Sequence, residues 1–285
     1  MELSKIKKIL VTGATGYLGK SLLKELKKQG YYTIAIARNP DKLKNLPIDK
    51  IIRAEVTQPQ TLKAVFNQVD CVISTVGITK QKDGLTYMDV DYQANANQLQ
   101  EAIRSGVKKF IYVSVLNGRL LRELKMIEAK ERFVDELKMS GIEYIIIRPN
   151  GFFSDMTEVL NMARKGSVYL FGTGDYKGNP IHGADLAEFI VKNMNYSNAE
   201  FEIGGPELLT QNEMARAAFT VVGKKEKIVH IPLWIRDVSL QLIRWFSGQK
   251  TYGPIEFFMT VMTMDMIAPK YGKHRLLDYY KDVVN

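Results

Sequence analysis

Lys8-Ile9-Leu10-Val11-Thr12-Gly13-Ala14-Thr15-Gly16-Tyr17-Leu18-Gly19 runs from a branched apolar segment, through three glycines, into the first turn of a helical pattern. Strand, glycine turn and helix in that order are what a dinucleotide-binding turn requires. Glycine lets the backbone approach a pyrophosphate without interference from Cβ, while free N–H groups and the positive end of the helix attract the anion. A plain strand-to-helix turn needs one glycine, not three in a GxxGxxG spacing. A Cβ at Gly13 is therefore expected to exclude the pyrophosphate while sparing the fold.

On either side of this turn the first half of the chain alternates short apolar runs with amphipathic stretches. Strands are read at Lys8–Val11, Thr33–Ala37, Ile51–Ala54, Cys71–Ser74, Phe110–Val113 and Tyr144–Ile147. Between them Leu18, Leu22 and Leu26, or Leu99 and Ile103, recur at helical spacing and present one apolar stripe to a sheet. The pattern is α/β, a Rossmann-type doubly wound parallel sheet over residues 1–150. Past Arg148-Pro149 the rhythm breaks at Gly172-Thr173-Gly174 and Gly178-Asn179-Pro180, with helices expected at about 184–194, 211–222 and 234–246. Thr210 and Glu213 form a capping box for the middle helix. Residues 151–285 are expected to make a smaller C-terminal α+β lobe, packed on the first as one compact unit with a cleft between.

Of 285 residues, 46% are hydrophobic and 25% charged. A globular chain of that length buries about 74% of its unfolded surface, which excludes disorder, collagen and coiled coil. Its single cysteine, Cys71, lies in the apolar run Cys71-Val72-Ile73, so neither a disulfide framework nor a thiolate metal site is expected. That usage points to the cytoplasm or another reducing compartment. His182, His230 and His274 lack the spacing that puts two imidazoles on one metal, and no metal is expected.

Met1 to Lys8 is basic, but the apolar run that follows stops at Thr12, too short for a secretory leader. Phe257 to Ala268 carries Asp265 and follows Glu256, so no transmembrane segment is expected. Forty Lys and Arg against 31 acids give a net charge of +9, which favours anionic ligands or surfaces. The cations are read as spread over helices, as at Lys24, Lys27, Lys28, Lys108 and Lys109, without aromatic interleaving, so nucleic acid is not an expected partner.

Four stretches carry a family resemblance: Gly13 to Gly19, Arg38-Asn39-Pro40, Gly106 to Ser114, and Ser140 to Tyr144 with Ile147-Arg148-Pro149. Together they resemble the extended and atypical short-chain dehydrogenase/reductases, and among these the NmrA-like branch. That branch includes redox-sensing regulators, a complex I accessory subunit, photosystem assembly factors and NADPH-dependent reductases. The resemblance implies an NAD(P)H-binding oxidoreductase or a non-catalytic relative of one.

Gly13, Thr15, Gly16, Tyr17 and Leu18 are the expected phosphate turn. Folds that select NAD place an acid at the end of the second strand, where this chain has Arg38. A guanidinium suits a 2′-phosphate, and Lys42 adds charge one turn later, so NADP is expected ahead of NAD. The resemblance implies Glu55 and Val56 near the adenine. Ser74, Thr75, Val76 and Gly77 follow the fourth strand at the end where such sheets receive ligands. By the same resemblance Pro149, Asn150, Gly151 and Phe152 lie near the nicotinamide, with Phe153 and His182 lining a substrate cleft and Asp185 opening a helix beside it.

Carbonyl reduction in the wider family resembles a Ser–Tyr–Lys arrangement. Here the lysine is Lys130, the tyrosine slot holds Met126, and the serine slot falls on Ser114 or Val115. Methionine donates no proton, so Lys130 is the expected general acid, with a pKa lowered towards the working pH. Two readings follow: an NADPH-preferring oxidoreductase acting on a small carbonyl or unsaturated substrate, or a catalytically silent NADP(H)-binding scaffold or redox sensor acting through a protein partner.

Two apolar stretches near the carboxyl end allow either core packing or a surface role. Met259, Met262, Met264 and Met266, with Phe257 and Phe258, fit a helix packed on the second lobe, the alternative being a soft surface for a partner or lipid-like ligand. Trp234 to Phe246 sets apolar residues against Arg236, Asp237 and Arg244 at helical spacing. Docking on the lobe is expected there, with peripheral contact to an anionic membrane as the alternative.

Overall fold

The computed structural model describes residues 6–79, 84–246 and 249–284. The start of the basic amino-terminal stretch, Met1–Lys5, lies outside them. In chain order the elements are β1 (Lys8–Thr12), α1 (Tyr17–Lys28), β2 (Tyr32–Ala37), β3 (Lys50–Arg53), β4 (Cys71–Ser74), α2 (Ala94–Arg104), β5 (Lys109–Val113), α3 (Lys125–Met139), β6 (Glu143–Pro149) and α4 (Phe153–Arg164). They continue with β7 (Val168–Phe171), β8 (Lys177–Gly178), α5 (Gly183–Lys192), β9 (Ala199–Ile203), β10 (Leu209–Thr210), α6 (Gln211–Val222), β11 (Ile228–Ile231), α7 (Leu233–Phe246), α8 (Gln249–Val261) and α9 (Leu276–Val284).

The central sheet has the order β3-β2-β1-β4-β5-β6-β9, and every pairing from β3 across to β6 is parallel. This is a Rossmann fold, with the reversal of strand order between β1 and β4. Cys71, Val72 and Ile73 are fully buried in β4 because helices cover both faces of a parallel sheet. Leu18, Leu22, Leu23 and Leu26 form the buried stripe of α1, and Lys27 and Lys28 in its last turn complement the negative end of the helix.

The chain divides into two units, Met1–Arg148 with Leu186–Phe201, and Pro149–Asp185 with Glu202–Asn285. Leu186–Phe201, assigned from the sequence to the second lobe, belongs to the first unit, and its strand β9 supplies the seventh member of the sheet. The second unit has its own core, in which Phe153, Leu160, Leu170, Phe219, Leu276 and Tyr280 are buried. It carries two small sheets, antiparallel β10-β8 and parallel β11-β7. Thr210 and Glu213 make the capping box of α6, and Gly223 ends that helix at φ 64°.

Three sequence expectations change. Lys109 is not a surface cation on a helix. It lies buried in β5, donating to the carbonyls of Met194 and Tyr196, both at 2.9 Å. The methionine cluster is not one helix, since α8 stops at Val261 and Met262, Met264 and Met266 follow it, all half-buried. None of the described side chains of α7 is buried, but Arg236, Ser239, Leu240 and Ile243 are half-buried, so the helix docks by one side only and leaves Trp234, Ile235, Val238, Leu242 and Trp245 exposed.

Candidate functional site

The glycine turn sits between β1 and α1. Gly13 has φ +70°, a left-handed conformation, and a Cβ there would lie 2.4 Å from Thr75 Oγ1 and 2.8 Å from the Thr75 backbone. Gly13 is thus required by the protein itself, which corrects the expectation that a larger residue would spare the fold. Gly16 precedes α1 at φ −74°, with no side-chain cap and no acid in the first turn. The positive end of α1 is therefore available to an anion. Thr15 and Gly16 are exposed and Tyr17 is half-buried, whereas the Leu18 side chain is core, leaving only its backbone for a ligand.

Arg38 follows β2 and Glu55 follows β3, and the register Ala37 to Arg53 brings both to the carboxyl edge of the sheet. The guanidinium is 3.7 Å from the Glu55 carboxylate and 63% exposed. Lys42 is exposed on the short 3-10 turn Pro40–Leu43, which Asn39 caps. The Val56 carbonyl accepts from Asn97 Nδ2 at 3.0 Å, and its side chain packs with Val76, Val90 and Ala94.

Beyond β4 the hydroxyls are already engaged. Ser74 is fully buried and donates to Asn95 Oδ1 at 2.6 Å, Thr12 donates to Gln98 Oε1 at 2.6 Å, and Thr75 donates to the Thr12 carbonyl at 3.0 Å. This network ties the ends of β1 and β4 to α2. With the Ser74 and Thr75 hydroxyls engaged, the cofactor contact expected of Ser74, Thr75, Val76 and Gly77 is left to the backbone of this segment.

Asn95 and Gln98 were missed in the sequence, although a signal is there. Asn95, Gln98 and Ala102 recur at helical spacing on the stripe that buries α2, and buried polar groups on an apolar stripe need partners.

Lys130, on α3, pairs with Asp91 at 2.7 Å. Asp91 is fully buried in the π-helical turn Met88–Gln93, and its second oxygen accepts from the Ile78 N–H at 3.3 Å. A Cβ on Gly77 would lie 2.6 Å from Lys130 Nζ and 2.7 Å from Asp91 Oδ1, so the loop after β4 closes over this pair because residue 77 has no side chain. Burial alone pulls the Lys130 ammonium down, but the Asp91 carboxylate and the Tyr112 hydroxyl more than reverse it, and the group is held above the ordinary lysine range. The expected lowered pKa is therefore corrected: Lys130 is a fixed cation, 12% exposed.

Tyr112 does not replace the missing tyrosine. It is wholly buried, its hydroxyl faces the ammonium without hydrogen-bond alignment, and burial raises its pKa. Met126, in the tyrosine slot one turn before Lys130, is buried.

Ser114 Oγ donates to Glu131 Oε1 at 3.1 Å. Arg148 grips the same carboxylate with two bonds, of 2.6 and 2.9 Å, and reaches Glu200 at 3.1 Å. Glu131 and Arg148 are both buried, so Ser114 serves a structural ion-pair network rather than a substrate carbonyl, and Val115 beside it is half-buried.

The remaining candidates belong to the second unit. Pro149 opens it at the end of β6, and Asn150 donates to Asn179 at 2.9 Å and to the Met266 carbonyl at 2.6 Å. Gly151 is exposed. Half-buried Phe152 bridges to Ile181 ahead of α4. Phe153 is core, which corrects its assignment to a cleft wall. His182 stacks on His274 at 4.2 Å, and burial followed by that neighbour lowers its pKa. Asp185 is buried and accepts from His274 Nδ1 at 2.7 Å and from the N–H groups of Lys273 and His274, so it pins a distant loop rather than merely complementing α5. His182, Lys273, His274 and Tyr279 line a hollow of about 280 Å³. No group of three or more His, Cys, Asp or Glu among the described residues is placed to hold a metal.

A parallel sheet ordered 3-2-1-4-5-6, an uncapped helix after a glycine turn, an arginine at the end of β2 and a lysine cation by the β4 loop fit a nicotinamide dinucleotide and define a Rossmann-type binding protein. The chain belongs to the family described as NAD(P)H-binding, which it matches over residues 13–196, and it is of the NmrA-like kind. It is 27% identical to the chloroplast divinyl chlorophyllide a 8-vinyl-reductase of Zea mays, over 97% of this chain and 79% of that one. It is 22% identical to the photosystem II assembly factor Ycf39 of a Synechocystis strain, over 94% and 86% of the two chains. The fold matches an NADPH-dependent quinone oxidoreductase from Escherichia coli, in complex with NADPH, at a TM-score of 0.70 with 19% identity, covering 97% of this chain and all of the other. No helix among the described residues is long and apolar enough to cross a membrane.

Proposed function

We propose that the chain is an NADPH-preferring oxidoreductase of the short-chain dehydrogenase/reductase superfamily, acting on a small carbonyl-bearing or unsaturated organic substrate. The observation that carries this reading is the Lys130–Asp91 pair beneath Gly77, a cation fixed where the loop after β4 leaves the sheet. When bound, NADPH supplies the hydride. The first turn of α1 holds its pyrophosphate, Arg38 and Lys42 meet the 2′-phosphate, and Glu55 and Val56 flank the adenine. Lys130 holds the nicotinamide ribose and sets a positive charge where negative charge develops on the substrate. Asp91 holds that ammonium as a cation, so the part of Lys130 is charge stabilisation, and solvent water protonates the reduced product and leaves hydroxide in solution. The vinyl reduction named for the Zea mays relative supports an unsaturated substrate.

Met126 in the tyrosine slot, together with the engaged hydroxyl of Ser114, favours a second reading: an NADP(H)-binding scaffold or redox sensor acting through a protein partner, as the assembly-factor relative suggests. NADPH oxidation measured across carbonyl, enone and quinone compounds and a vinyl-bearing tetrapyrrole separates the two. Turnover above background with any of them, reduced about 100-fold in Lys130→Met at saturating NADPH as expected when a charge that stabilises the transition state is lost, supports the oxidoreductase. No turnover with the whole panel supports the scaffold.

A further inference from the structure

On α7, Trp234, Ile235, Val238, Leu242 and Trp245 are 65, 36, 46, 47 and 78% exposed. At 100° per residue these five fall within one arc of about 100°. The side turned towards α8 lies opposite and holds Arg236, which donates to Thr263 just past that helix. Contrast α1, whose leucine stripe is buried. In α7 the most apolar face points to solvent along a helix of about 21 Å.

We infer that this face is a docking surface for an anionic lipid bilayer. The inference goes beyond the proposed reaction and does not rest on it. Aliphatic residues between tryptophans near both ends of the helix suit the boundary between headgroups and acyl chains, where indole rings settle. The charge around the stripe is complementary to anionic headgroups. With Arg236 turned away, Lys224, Lys225, Lys227 and Arg244 stand against two acids, Glu226 and Asp237. Lys224, Lys225 and Lys227 are exposed in the loop that enters β11, directly before α7. The same excess opposes a second copy of the chain, since two such stretches facing each other would repel.

Trp234 and Trp245 are the only tryptophans in the chain, so selectively excited tryptophan emission reports on this face alone. The full chain is titrated with vesicles of equimolar phosphatidylglycerol and phosphatidylcholine, and with phosphatidylcholine alone. Expected with the anionic vesicles are a blue shift, quenching by brominated acyl chains, and reversal by high salt. Leu242→Asp, which keeps both tryptophans and alters an exposed site, should cut vesicle partitioning about tenfold or more while leaving the NADPH titration unchanged. Unchanged emission at high lipid, equal response to neutral vesicles, or a lipid-free blue shift that grows with protein concentration as copies pair would each overturn the inference.

Discussion

At Asp91 a carboxylate with no solvent exposure stands 2.7 Å from the Lys130 ammonium, and each charge is tolerated only because of the other. Asp91→Asn leaves a buried cation unpaired and should cost about 3–5 kcal/mol in urea unfolding, partly recovered in the double variant with Lys130→Met. A loss in Asp91→Asn no larger than that of a surface substitution would contradict the pairing. The same pair fixes the pH dependence. A base whose folded pKa is raised keeps its proton below the unfolded value and loses it only as pH climbs through the folded one. Cofactor affinity and rate should therefore show no alkaline loss assignable to Lys130 below the ordinary lysine value of about 10.4. An alkaline limb near pH 8 that vanishes in Lys130→Met would restore the general-acid role.

Among the elements, the turn between β1 and α1 separates two kinds of glycine. Gly13 is strained for any L residue and closes against Thr75, so its replacement damages the turn and tells little about the ligand. Gly16 has an ordinary φ, and its Cβ would meet only the Gly13 carbonyl, at 3.1 Å. Gly16→Ala should retain the melting transition while weakening NADPH and NADH together, by about tenfold or more. Wild-type affinity for both in a folded variant would remove the phosphate from this turn.

The six strands from β1 to β6 and the glycine turn were legible because apolar runs and turn glycines are local signals. The Lys130–Asp91 pair and the Thr12–Gln98–Asn95–Ser74 network were not, because they join residues 39 and up to 86 positions apart, and the local spacing that sets Asn95 and Gln98 on the buried stripe of α2 does not say which groups they meet. Arg148 was legible only as part of a motif, since its partners Glu131 and Glu200 come from other elements. α7 was read as an amphipathic helix, but periodicity alone does not say whether the apolar face meets protein or solvent.

For the whole molecule, Cys71 is a built-in reporter of opening. It is fully buried at the centre of the sheet, and burial pushes its thiol up to about 12. The native protein should leave it unmodified by a thiol reagent at pH 8, with labelling governed by global unfolding and accelerated in Asp91→Asn. Rapid labelling of the native protein would mean that the sheet opens locally at β4.

The central claim is that the carboxyl edge of the first unit's sheet binds a nicotinamide dinucleotide and reads its 2′-phosphate through Arg38. The most direct measurement is a calorimetric titration of the wild type and Arg38→Ala with NADPH and with NADH. The wild type should bind NADPH more tightly, and Arg38→Ala should lose about 1.5 kcal/mol for NADPH while keeping its NADH affinity, the low end for a charge-assisted bond because the guanidinium is 63% exposed and shared with Glu55. Equal losses for both cofactors, or no loss for either, would contradict the role of Arg38, and a folded wild type that binds neither would contradict the account as a whole.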